Sequence, residues 1–70
     1  MAEVRAEMVA NVLHVLVTEG DRVSAGDTLV MLESMKMEIP VIAEEAGLVT
    51  KIHVAEGEVI QEDDLIAVVE

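Results

Sequence analysis

Cysteine, phenylalanine, tyrosine and tryptophan are all absent from this chain of 70 residues, and there is one proline. Without cysteine there are no disulfides, no thiol nucleophile and no thiolate metal site. That fits a reducing compartment. Without aromatic rings the core must be a close fit of small aliphatic groups. Cations are scarce as well: four Lys and Arg stand against fifteen Asp and Glu, for a net charge of −11. Nucleic acid and anionic membrane surfaces would repel such a chain. The charge also favours solubility and a monomer. No Lys/Arg-led apolar leader and no long uncharged run is present, so neither a signal peptide nor a membrane-spanning helix is expected. A cytoplasmic location is the expectation that follows.

What remains is abundant Val, Ile, Leu, Ala and Met; disorder would need low hydrophobicity along with the charge, so the chain reads as folded. Residues 1–70 are short enough for one domain only. A chain of this size buries only about 60% of its extended surface, so its packing must be efficient.

The sequence repeats. Residues 12–33, VLHVLVTEGDRVSAGDTLVMLE, lie over residues 49–70, VTKIHVAEGEVIQEDDLIAVVE, without a gap. The offset is 37 residues, with Gly57 against Gly20. Val12 meets Val49, Glu19 meets Glu56, Asp27 meets Asp64 and Glu33 meets Glu70. Two copies are too few for a solenoid and suit two halves about a pseudo-two-fold axis. Each half reads as short strands: NVLHVLV and LVTKIHV, then Arg22-Val23 and Val59-Ile60, then TLVMLE and LIAVVE. Glu-Gly-acid turns, SAGD and QEDD separate them. VRAEMV precedes the first half and EIPVIAE joins the two, for about eight strands. Pro40 belongs on an edge strand or near a strand start. The four glycines read as turn residues. The expected fold is all-β: a flattened antiparallel barrel or sandwich of two four-stranded sheets.

Between the halves lies ESMKMEIP, residues 33–40. A strand from Thr28 to Ile42 would be about twice the usual length, so the chain must reverse here. Yet Ser34, Met35, Lys36, Met37 and Glu38 include none of the Gly, Asn or Asp that tight hairpins prefer. Broken local rules tend to mark function. Three arrangements compete. Met35 and Met37 could be core residues on one strand face with Lys36 pointing out. The reversal could fall at Glu38–Pro40 instead. Or Lys36 could be displayed for modification, with the methionines as soft recognition surface. Spacing alone does not choose.

ESMKMEIP resembles the Glu-Ala/Ser-Met-Lys-Met motif of biotin/lipoyl attachment domains, the biotinyl carriers. EGDRVSAGDTLVMLESMKM before it and AGLVTKIHVAEGEVI after it resemble the rest of that family's pattern, over nearly the whole chain. The size is closest to small stand-alone actinobacterial biotinylated members. Ser34 replaces the commoner Ala. A Pro/Ala-rich N-terminal segment is missing, and GDRVSAGD has no room for the protruding thumb loop of some carrier subunits. The resemblance implies a non-catalytic carrier with biotin bound covalently to Lys36. Met35, Met37, Glu33, Ser34 and Glu38 would be read by a biotin protein ligase, and biotin carboxylase and carboxyltransferase would be the working partners. Lipoate is the alternative cofactor, although lipoyl domains more often show Asp-Lys-Ala. An unmodified interaction barrel is the other alternative. Lys51, mid-strand, is expected to stay unmodified.

Other residues offer less. His14 and His53 do not match one another in the repeat and read as solvent-facing strand residues, so no metal site is expected. QEDD lacks the alternating acids and central glycine of a calcium loop. Glu33 and Glu38 read as surface acids rather than a catalytic pair. No glycine-rich phosphate loop is present.

Overall fold

The computed structural model describes residues 2–70, which form eight strands and no helix. The strands are β1 (Ala2–Arg5), β2 (Ala10–Val15), β3 (Arg22–Val23), β4 (Thr28–Ser34), β5 (Met37–Ile42), β6 (Gly47–Ile52), β7 (Val59–Ile60) and β8 (Leu65–Val69). They make two antiparallel four-stranded sheets, ordered β1-β8-β6-β3 and β5-β4-β2-β7. The result is a flattened sandwich. Among the described residues, no helix is long and apolar enough to cross a membrane.

The 37-residue offset maps β1 onto β5, β2 onto β6, β3 onto β7 and β4 onto β8, so one sheet order becomes the other. Hydrogen bonds obey the same rule. Glu19 Oε2 accepts from Ile52 N–H at 3.0 Å, and Glu56 Oε2 accepts from Val15 N–H at 3.0 Å. Gly20 N–H donates to Val49 O, and Gly57 N–H to Val12 O. Asp63 N–H donates to Ala6 O as Gly26 N–H does to Ala43 O. The repeat thus begins before Val12: Val4, Ala6 and Glu7 align with Val41, Ala43 and Glu44 at the same offset. Both sheets take two strands from each half, so the halves interleave rather than stack.

The core is aliphatic and comes in symmetric pairs. Leu29 and Ile66, Val12 and Val49, Leu32 and Val69, and Ala6 and Ala43 are all buried, and among the described residues no polar side chain is buried with them. Strand alternation explains this, since one side chain in two faces inward.

Three expectations shift. The VRAEMV strand starts and ends earlier, at Ala2–Arg5. Ala6 is buried and tied to the Asp63-Asp64 turn, and Glu7-Met8 is a bend where the chain crosses to the other sheet. Gly47 opens a strand rather than a turn. A Cβ there would come within 2.6 Å of Glu70 O and 2.8 Å of Val69 Cγ1, so glycine is needed for close approach. His53 lies just past β6 rather than within it, although it is exposed as expected. Pro40 is on β5, an edge strand.

Candidate functional site

β4 and β5 pair in continuous register from Met31↔Pro40 to Ser34↔Met37. Only Met35 and Lys36 are left to turn the chain. Both have positive φ, 54° and 64°. That is the signature of a primed two-residue hairpin, whose twist matches the flanking strands. The register demands it although neither residue favours it. A non-glycine residue held there costs roughly 1–3 kcal/mol. The other positive-φ positions go to Gly20, Gly26, Gly57 and Asp63, each third in a four-residue turn. In each, the fourth residue's carboxylate accepts from the first residue's N–H, as Asp27 does from Ser24 at 2.8 Å and Asp64 from Gln61 at 2.8 Å. No such carboxylate bond is seen at the Met35-Lys36 turn.

The two plainer arrangements are thereby overturned. Met35 is 88% exposed and Met37 61%, so neither is a core residue. The reversal is at Met35-Lys36, not Glu38–Pro40. Lys36 is exposed, and no salt bridge involves it among the described residues. Ser34 and Glu33 are half-buried, and Glu38 is exposed. Glu33 and Glu38 face each other across the hairpin. Like charges directly opposite are destabilising. The tip therefore combines left-handed strain, exposed thioethers and an acid pair, with one primary amine at its apex.

Lys51 contrasts with it. It is exposed but sits within β6, where Val68 is its cross-strand partner. A shallow groove of about 590 Å³ runs between edge strands β1 and β5. Its polar lining is mostly carboxylate, with Glu3, Glu7, Glu44 and Glu45 among it, and the tip residues take no part. Among the described residues, no three His, Asp or Glu side chains are grouped to hold a metal ion. His14 Nδ1 lies 3.9 Å from Glu56 Oε2, on the surface. The tip suits a covalently tethered group, because an exposed amine needs no pocket to hold one.

Known proteins share this architecture. The family model described as "Biotin-requiring enzyme" matches residues 2–69. A "Biotinylated protein TB7.3 homolog" of Mycobacterium leprae is 64% identical over 70 residues, with 99% of each chain covered. The Kluyveromyces lactis urea carboxylase superposes with a TM-score of 0.92 at 32% identity, over 99% of this chain but 6% of that one. A lipoyl domain of the Azotobacter vinelandii 2-oxoglutarate dehydrogenase complex gives a TM-score of 0.86 at 20% identity, covering all of this chain and 96% of the other. That last likeness is one of fold.

Proposed function

The chain belongs to the biotin/lipoyl attachment family of biotin-requiring enzymes, and from that premise we propose that it carries biotin on Lys36 and presents it to the active sites of a carboxylase. The observation that carries this reading is the apex amine: Lys36 stands at the second turn position of a strained hairpin, between exposed Met35 and Met37.

In this reading a biotin protein ligase activates the biotin carboxyl as an acyl-adenylate. An ammonium has no lone pair, so the ligase must first take a proton from the lysine. The Lys36 nitrogen then attacks the acyl carbon, the C–N bond forms, and AMP leaves with the electron pair of the broken C–O bond. The carrier supplies position rather than chemistry. Met35 and Met37 offer adaptable apolar contacts. Ser34, Glu33 and Glu38 supply the polar features a ligase reads. Lys51 escapes because a strand backbone cannot bring its amine into a ligase pocket as a tip can.

Once attached, biotin supplies the ureido nitrogen that takes up and gives back a carboxyl group. The domain holds that group on a long arm and excludes nothing around it. The same arm serves a biotin carboxylase and a carboxyltransferase in turn. Tethering keeps the effective concentration in roughly the mM range. The domain itself is not an enzyme in this reading, and it works in the cytoplasm as a monomer.

The test is the intact mass of the protein purified from its own cells, followed by peptide mapping. A biotinyl adduct on Lys36 is expected. A lipoyl adduct there would move the chain to acyl transfer in dehydrogenase systems. An unmodified mass in biotin-replete cells would overturn the carrier reading.

A further inference from the structure

The two sheets are related by the repeat, so each outer face is a reference for the other. Equivalent positions have the same fold environment but different side chains. On the face bearing the hairpin, Pro40, Met31 and His14 form one cross-strand row. The equivalent row on the other sheet is Glu3, Val68 and Lys51. Ile42 stands where the other face has Arg5, Val59 where it has Arg22, and Leu16 where it has His53. Ile42 is 47% exposed, Leu16 54% and Val59 61%. Asn11 against Leu48 runs the other way, but Leu48 is half-buried. The fold therefore does not require this apolar surface, since the other sheet does without it.

Charge is divided in the same sense. Arg5, Arg22 and Lys51 all lie on strands of the other sheet, on β1, β3 and β6. The hairpin sheet has Glu33 and Glu38 on its strands against Glu3 on the other, and among the described residues its one Lys or Arg is Lys36 at the turn. Going out from the tip, this face presents the acids Glu33 and Glu38 first, then Met31 with Pro40, and then Ile42 opposite Thr28. A lysine stem is only four carbons long. An enzyme that acylates the bare amine must come close enough to lie against the neighbouring sheet face, whereas a later partner can meet the longer biotinylated arm at a distance.

We propose that the outer face of sheet β5-β4-β2-β7, centred on Ile42, Met31, Leu16 and Val59, is the docking surface for the ligase that modifies Lys36, and that the ligase offers it an apolar patch rimmed by basic side chains. This rests on the reading of Lys36 as the attachment site. Scattered exposed apolar residues are ordinary. Here they are set apart by their contrast with the equivalent positions and by lying on the sheet that carries the hairpin, beyond the acid pair Glu33 and Glu38.

The experiment is steady-state acylation of the full chain by purified biotin protein ligase with biotin and ATP, varying carrier concentration. Ile42→Arg with Val59→Arg copies the residues already tolerated at the equivalent positions, so folding is retained, and circular dichroism checks this. KM for the carrier should rise about tenfold, with kcat nearly unchanged. Arg5→Ile with Arg22→Val, on the other face, should leave KM within about twofold. An unchanged KM in the folded first variant overturns the proposal. So does an equal rise in the second variant, or a fall in kcat alone. A wild-type dimer that the first variant dissolves without a change in KM would assign the face to a second copy instead. If the wild-type chain takes no label on Lys36, the attachment reading itself fails, and that result is distinct from all the others.

Discussion

Met35 and Lys36 occupy backbone positions that glycine or asparagine would hold more easily, and Glu33 faces Glu38 beside them. Each choice costs stability locally and repays nothing in packing, since the tip touches no core. The core tolerates this because its apolar pairs lie elsewhere. Met35→Asp with Met37→Asp should therefore change stability by less than about 0.5 kcal/mol, as surface substitutions do. A large fall in the urea midpoint would show that the thioethers pack. Lys36→Arg should fold as the parent does and take no biotin, because guanidinium is effectively never deprotonated. Mass spectrometry of that variant from biotin-replete cells checks it, and labelling elsewhere would sink Lys36 as the attachment site. ESMKMEIP marked this place at once, by its missing turn residues and by its family likeness. The exact turning point was not legible there, because the unfavourable pair Met35-Lys36 is imposed by the register of β4 on β5.

At the scale of elements, four turns share one device: a positive φ at the third residue and an acid at the fourth that closes on the first N–H. Asp63 fills the third position where the other three turns have glycine, and aspartate tolerates that region better than most residues. These turns were readable as Glu-Gly-acid, SAGD and QEDD, because turn chemistry is local. Gly47 was not. Glycine signals a turn and a close approach equally well, and only the packed position of Glu70 tells them apart. Gly47→Ala should lower stability by about 1–3 kcal/mol through overpacking. Chemical denaturation checks this, and no loss would mean that the chain end moves aside freely. The equivalent residue is Ala10, so the two halves differ here in what they can accommodate.

For the molecule as a whole, interleaving is the decisive feature. β8 and β6 of the second half are flanked by β1 and β3 of the first, and β4 and β2 by β5 and β7. Neither half can complete a sheet or cover its aliphatic face alone. A peptide of residues 1–35 should therefore show no strand signal by circular dichroism. An independently folded half would contradict the interleaved account. The same arrangement makes most contacts non-local, which is associated with folding in ms to s. Symmetry also leaves its mark on function. The hairpin joins the end of β4 to the start of β5, and the symmetry-related place on the other sheet lies beside the paired Ala2 and Val69.

The sequence by itself determined the all-β class, the two similar halves, the aliphatic core and the distinctive lysine, because periodicity, turn chemistry and composition are properties of neighbours along a chain. The tertiary structure alone decided that the halves interleave, that Met35 and Met37 lie in solvent, that Gly47 serves a close approach, and that Ile42 and Val59 lie exposed on one sheet where the other sheet exposes Arg5 and Arg22. Each of these depends on which residues meet across sheets and registers, and a residue's partners in space are set only when the whole chain has folded.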